Sequence, residues 1–237
     1  MVRPTLGVAI CALDEQRALP RLLERLKRGE SDDRADAIVV ADGGSRDRTV
    51  ELARDAGARV LVCERGRGTQ LAAAARQLET DVLVFLHADC VPAPGALARL
   101  REAFEEHELA VAAFAQRVEA PGLFYRLVER AANVRVRGFG LVYGDSGLVV
   151  RRELYEQVGG FRPLVLFEDV EFSRRLRRVA RARLVANAEL VVSARRWQRE
   201  GALRATLRNW MLMAAFLAGA DPARLVRRYP PHSEPSP

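Results

Sequence analysis

The feature that most limits the fold is a fourfold alternation of short apolar runs with amphipathic stretches across the first 107 residues. Residues 6–12, 37–41, 59–63 and 82–86 are brief and rich in Val, Ile, Leu and Ala, as strands buried on both faces are. Between the first two, Leu19, Leu22, Leu23 and Leu26 recur at helical spacing. A second helix starts near residues 45–47 and ends at Gly57, and a third covers residues 66–78 with a glycine-rich first turn. After the fourth run, Pro94 stands near the start of a helix that puts Leu97, Leu100 and Phe104 on one face. Repeated β-α units need crossover connections, so the expected class is α/β: a mostly parallel, Rossmann-like sheet flanked by helices on both faces.

The second half is less regular. Residues 110–118 and 147–150 read as strands, 123–136 as an amphipathic helix, and 184–193 as one or two short strands. Residues 168–179 read as a helix with Phe172, Leu176 and Val179 inward, and a C-terminal helix covers 202–218. No linker interrupts the chain, so one domain over residues 1–229 is expected, with a disordered tail at 230–237, where four of eight residues are proline. At 237 residues and 49% hydrophobic content, one sizeable core is accessible.

The net charge of +7 raises nucleic-acid binding as a possibility to be tested. Lys27 is the only lysine among 38 basic residues, a skew of codon usage more than of a selected basic surface. The arginines are scattered and lack interleaved aromatics, so no nucleic-acid partner is expected. Cys11, Cys63 and Cys90 form no C-x-x-C pair, which argues against a disulfide framework or a zinc site. No signal peptide is expected, because the apolar run near the start meets Asp14 and Glu15, and a cytoplasmic placement follows. The longest apolar run, residues 210–220, is far below the roughly 20 residues that span a bilayer. It is apolar all round, with Arg204, Arg208, Arg224, Arg227 and Arg228 at its flanks. Three readings are open: a core helix, a homodimer interface, or a peripheral contact with the inner face of the membrane; cover by the core or by a second subunit is the expectation.

In open parallel sheets, ligands sit outside the carboxyl ends of the strands. Four polar clusters follow the apolar runs: Asp14-Glu15, D-G-G-S-R-D at 42–47, R-G-R-G at 65–68, and H-A-D at 87–89. All four would line one edge of the sheet. Each alone has an ordinary turn explanation; their convergence is what points to a site.

At these residues the chain resembles family 2 glycosyltransferases, which adopt the GT-A fold. D-G-G-S-R-D-R-T at 42–49 is similar to their nucleotide-binding signature, and F-L-H-A-D at 85–89, G-D-S-G at 144–147, G-G-F at 159–161 and E-D-V-E at 168–171 follow in the family's order. S-A-R-R-W at 193–197 and A-D-P-A-R-L at 220–225 are similar to a small bacterial subgroup linked with radical-SAM and arsenosugar genes. The resemblance implies a nucleoside-diphosphate sugar donor, a hydroxyl acceptor, inversion, and Mn²⁺ or Mg²⁺. It puts the nucleotide in about residues 1–107 and the acceptor in 108–229. Asp42 would accept from the base edge, with Ser45 and Asp47 in the same motif and Glu15 at a position usually acidic. Asp89 would ligate the metal, and His87 stands where the family has a first Asp. Arg65 and Arg67 would meet the phosphates, helped by backbone N–H groups at the helix start.

Asp169 would be the general base that takes the acceptor's proton. Glu168 and Glu171 beside it would strengthen its hold on that proton by like charge. Asp145 would help form the acceptor side, and Arg195, Arg196 and Trp197 would close over phosphates or sugar. Two rivals remain at this point. A sugar-1-phosphate nucleotidylyltransferase needs a glycine-rich loop after the first strand, where this chain has C-A-L-D-E-Q at 11–16. A catalytically inactive nucleotide-sugar binding module would not need Asp42, Asp89 and Asp169 together.

Overall fold

Leu6–Ala12 forms β1, and all seven of its residues are buried, which is why the run contains no polar side chain. In the computed structural model, which describes residues 3–106 and 108–229, β1 pairs in parallel with β2 (Ala37–Asp42) on one side and β4 (Val82–His87) on the other. β3 (Arg59–Val62) extends the parallel part beyond β2. The registers align Ala12 with Asp42 and Cys11 with His87, so three strand ends finish at one edge. Four further strands complete one eight-stranded sheet in the order β3-β2-β1-β4-β7-β6-β8-β5. They are β5 (Cys90–Pro92), β6 (Val111–Val118), β7 (Leu148–Arg151) and β8 (Arg183–Val192). β7 runs antiparallel to β4 and β6, β5 antiparallel to β8, and β6 parallel to β8 with a register shift at Phe114/Ala115.

Helices cover both faces. Leu19, Leu22, Leu23 and Leu26 of α1 (Leu19–Lys27), Ala53 of α2 (Thr49–Asp55), and Leu97, Leu100 and Phe104 of α4 (Ala96–Glu105) pack on Leu6, Val8 and Ile10. On the other face lie Leu71 and Ala74 of α3 (Arg67–Ala75), Val136 of α5 (Leu123–Phe139), and Phe172 and Leu176 of α7 (Glu168–Leu176). The observed α/β sheet thus has the mostly parallel, helix-flanked form expected. α6 (Arg152–Gln157) and α8 (Arg195–Glu200) are additional, and β5 forms only because β8 is there to pair with it.

Some boundaries move. The helix expected from residues 45–47 begins at Thr49, because the intervening side chains cap a turn. Val179, expected to face inward, is 60% exposed, since α7 ends at Leu176 and the chain turns before reaching it. The tail expected to be disordered, 230–237, lies outside the described residues.

The C-terminal helix α9 (Ala202–Leu217) is followed by α10 (Pro222–Leu225). Leu212 and Leu225 form a third cluster with Leu166, Phe167 and Val170, against which Met213 and Phe216 also pack. The chain's core therefore covers one face of α9, and Trp210 on the other face is 68% exposed. No helix among the described residues is long and apolar enough to cross a membrane.

Candidate active site

The motif at residues 42–49 is a clamp between two loops. Asp42 is 1% exposed, and its Oδ1 accepts from the backbone N–H groups of Gly44 (2.9 Å) and Ser45 (2.8 Å), while Oδ2 accepts from the Ser45 hydroxyl. Ser45 Oγ accepts from Asp14 N (2.8 Å), and Asp47 accepts from Gln16 N (3.0 Å), Thr49 N (2.9 Å) and the Thr49 hydroxyl. Thr49 Oγ1 accepts from Glu15 N at 2.7 Å. Asp42, Ser45 and Asp47 thereby tie the β1–α1 loop to the β2–α2 loop. None of the three lines the main cavity. Gln70, which the sequence pattern did not single out, completes the clamp. Its Nε2 donates to Ala12 O and Ala41 O, both at 2.8 Å, tying the strand ends together. A lone amide on the otherwise apolar inner face of α3 is the signal that could have found it.

A cavity of about 520 Å³ opens at the ends of β1 and β4, large enough for a small organic ligand. Glu15, Arg65, Arg67, His87, Asp89 and Tyr229 are on its wall. Arg195 reaches in from α8 and bridges Glu15 (2.6 Å) and Asp89 (3.2 Å). Burial pushes the Glu15 carboxyl up, and the Arg195 guanidinium opposes that shift. Arg196 is pulled down to about 9 by burial and then by repulsion from Arg67. It donates to the Tyr229 hydroxyl and lies 4.3 Å from the centre of that ring. This brings the positive charge of Arg67 and Arg196 close together.

Gly68 has a structural task in the 65–68 loop. Gly68 N donates to Leu164 O (3.0 Å), and a Cβ on Gly68 would collide with the carbonyl oxygen of Arg162. Gly68 thus lets α3 dock against the 162–165 loop, and its N–H is already used within the protein.

His87, Asp89 and Cys90 can each aim one ligand atom into a common volume, with the three atoms within 4.8 Å of one another. Burial and then Arg67 hold the His87 imidazole below its usual range, so it is neutral at pH 7 and able to ligate. Burial holds the Cys90 thiol well above its usual range, leaving it a poor ligand. One carboxylate and one neutral imidazole fit a divalent ion that takes its other ligands from substrate oxygens.

His87 also marks the boundary with a second group of side chains. Gly144 separates it from Asp169: a Cβ there would meet His87 at 2.6 Å and Asp169 Oδ2 at 3.2 Å. Asp169 Oδ2 accepts from Gly144 N (2.6 Å) and Oδ1 from Val170 N (2.7 Å), fixing the carboxylate at the start of α7. Just before it, Phe167 has left-handed φ (62°), a strained conformation for an aromatic residue. That turn drives Glu168 inside, where it is 1% exposed and neither carboxyl oxygen has a partner. Burial, reinforced by Asp169, raises Glu168 to about 8, with Arg67 opposing. Glu171 turns away to Arg175 (2.7 Å). Asp145 pairs with Arg135 (3.0 Å), whose guanidinium lies 3.9 Å from the Tyr143 ring centre. Trp197 does not reach the cavity wall; its indole donates to Thr206 (3.2 Å) and meets Tyr125 edge-on at 6.0 Å.

A family model described as "Glycosyl transferase family 2" matches residues 7–159, leaving E-D-V-E and everything after it beyond the matched stretch. No curated protein sequence matches the chain. Among solved structures, the mannosyltransferase PcManGT from Pyrobaculum calidifontis in complex with GDP-Man and Mn²⁺ is similar, at 20% identity and TM-score 0.66, over 94% of this chain and 67% of that one. S. aureus TarS 1-349 is similar at 13% identity and TM-score 0.65, over 93% and 68%. Glucosyl-3-phosphoglycerate synthase from Mycobacterium tuberculosis in complex with Mn²⁺, UDP and glucosyl-3-phosphoglycerate is similar at 23% identity and TM-score 0.55, over 80% and 71%. The chain spans only 65% of a further mycobacterial protein with the same TM-score. At these identities the likenesses show a shared fold.

Proposed function

Because the chain belongs to glycosyl transferase family 2, we propose that it moves a sugar from a nucleoside diphosphate to a hydroxyl acceptor, with inversion at the anomeric carbon and a divalent cation. The observation that carries this reading is the cavity at the ends of β1 and β4, where arginines and the carboxylates Glu15 and Asp89 face a volume of about 520 Å³. The donor's diphosphate meets Arg65, Arg67 and Arg196, which offset the charge that grows as it leaves. Asp89 and His87 hold the cation, Mn²⁺ in preference to Mg²⁺ given the imidazole; when bound, it supplies positive charge beside the leaving diphosphate. Solved relatives hold Mn²⁺ with GDP-Man, and Mn²⁺ or Mg²⁺ with UDP, which supports a divalent cation here; the preference for Mn²⁺ rests on the imidazole alone. Asp42, with Ser45 and Asp47, shapes the rim against which the base rests, and Glu15 holds Arg195 in place.

Residues 108–229 provide the acceptor side, apart from Arg195, Arg196 and Tyr229, which join the donor cavity. The acceptor oxygen attacks the anomeric carbon from the face opposite the diphosphate, the new C–O bond forms as the old one breaks, and Asp169 takes the hydroxyl proton. Glu168, raised to about 8, stays largely neutral at pH 7 and adds little like charge beside Asp169. Asp145, fixed by Arg135, lies on the same side. The narrower kinship with radical-SAM- and arsenosugar-linked transferases rests on the motifs at 193–197 and 220–225. A nucleotidylyltransferase lacks support in the glycine-free 11–16 loop, and an inactive module in the arrangement of Asp89, His87 and Asp169.

Calorimetry with UDP and GDP, in Mn²⁺ and in EDTA, tests the donor half. Wild-type protein should bind one of them at least about tenfold more tightly in Mn²⁺, and Asp89→Ala should remove that difference while its melting transition is retained. Equal affinity in EDTA would overturn the metal assignment.

A further inference from the structure

Helix α9 is anchored along one face and open along the other. Leu212 is buried, and Phe216 stacks on Phe167 with ring centres 5.1 Å apart. Phe167 and Val170 flank Glu168 and Asp169, so the inner face of α9 rests directly on the turn that presents the proposed base. On the outer face Leu203, Leu207, Trp210, Met211 and Leu217 follow the spacing of a single helical stripe, and all five are exposed, Trp210 and Met211 by 68% and 65%. A contiguous apolar stripe of this kind marks a surface that something covers.

The charges around the stripe select its occupant. α9 contains no acidic residue. Exposed Arg199 and Arg204 lie at its start, and exposed Arg224, Arg227 and Arg228 beyond its end. Of the nearby acids, Glu200 is paired with Arg208, and Asp221 accepts from Ala223 N. A second copy laid on the stripe, parallel or antiparallel, would bring arginine-bearing ends together, because both ends are positive. An anionic bilayer meets the whole pattern: aliphatic side chains enter the acyl boundary, Trp210 sits at headgroup depth, and the arginines meet phosphates. Sixteen residues of helix are too short to span, so the helix lies flat.

We propose that α9 is a membrane-docking helix that seats the protein on an anionic lipid surface. This inference does not depend on the proposed reaction. The test is co-sedimentation of the full chain with vesicles of phosphatidylcholine alone and of phosphatidylcholine mixed with phosphatidylglycerol. Binding is expected on the mixed vesicles, at least about tenfold weaker on the neutral ones, and reduced by salt. Changing Leu207, Trp210 and Met211 together to Gln should abolish it, and Arg204→Gln, which leaves the apolar stripe intact, should weaken it about fivefold. Nucleotide affinity of each variant, measured in parallel, reports the fold and the donor site separately. Absence of binding to mixed vesicles, or binding that the triple variant retains, would overturn the proposal. So would a wild-type dimer in solution that the triple variant dissociates, which would give the stripe to a second copy.

Discussion

The strands from residues 6–87 and those from residues 90–192 meet where β4 pairs with β7, and both sets deliver polar side chains to the same rim. They treat those side chains differently. In the first set, Asp14, Asp42, Ser45, Asp47 and Thr49 are satisfied within two adjoining loops, and Glu15 keeps one oxygen on Arg195 while its Oε2 is buried without a hydrogen bond. In the second set, a strained turn buries Glu168 with both oxygens unpartnered, and Arg135 Nε is likewise buried without an acceptor. A chain gains nothing in stability from an unpaired buried carboxyl, which costs on the order of 1–3 kcal/mol. The contrast suggests a rim made rigid on the donor side and a more costly, pre-arranged group on the acceptor side, where proton transfer is proposed.

Glu168→Gln is the sharpest way to break that contrast. The Glu168 carboxyl is raised from 4.5 to about 8 in the folded protein. Below about pH 4.5 it is protonated in both folded and unfolded chains and costs nothing extra. As pH rises from there to about 8, only the unfolded chain releases the proton, so stability falls, and above 8 the full cost stays. Gln cannot ionise, so melting curves of the variant should diverge from wild type across this window, by about 2–4 kcal/mol in favour of the variant at pH 9. Parallel pH profiles would mean that the buried carboxyl is not the strained element inferred.

Gly68→Ala has a somewhat smaller expected effect and attacks the joint between the regions. The added methyl would strike the carbonyl oxygen of Arg162, forcing α3 off the 162–165 loop. A loss of about 1–3 kcal/mol is expected in denaturant melts. Because the same shift displaces Arg67 and Val165 on the cavity wall, nucleotide affinity should fall with it. An unchanged melting point would show that the loop yields freely and that the two regions are not rigidly coupled there.

How much of this could be read from the residues follows the same division. The four β-α units of the first region are local patterns, and Leu19 to Leu26 or Leu97 to Phe104 announce their buried face without knowledge of the fold. β5 could not be foreseen from three residues; it exists because β8, about a hundred residues later, offers a partner. Arg195 sits on a motif noticed in the sequence, yet its bridge to Glu15 joins positions 180 apart. The glycine-rich turn at 65–68 reads, in sequence, as the setting of phosphate-binding arginines; what closely approaches Gly68 is the backbone carbonyl of Arg162. Trp197, expected near the ligand, faces α5 and α9. Tyr229, beyond every recognised motif, reaches the cavity wall because α10 folds back along Leu166 and Phe167. The chain's own core covers only the inner face of α9 and leaves the outer stripe exposed.

The most direct test of the division between a donor side and an acceptor side is a paired measurement on Asp169→Asn. The amide keeps the carboxylate's shape, and one oxygen to accept from Gly144 N, but cannot take a proton at neutral pH. Nucleotide-sugar affinity and acceptor-dependent turnover should be determined on the same preparation, so that a loss in turnover can be read as a transition-state effect. Affinity within about twofold of wild type, with turnover lower by roughly 10² to 10⁴, is the expected result. Turnover that persists would remove Asp169 from the mechanism, and donor affinity that collapses would place it on the donor side and contradict the division.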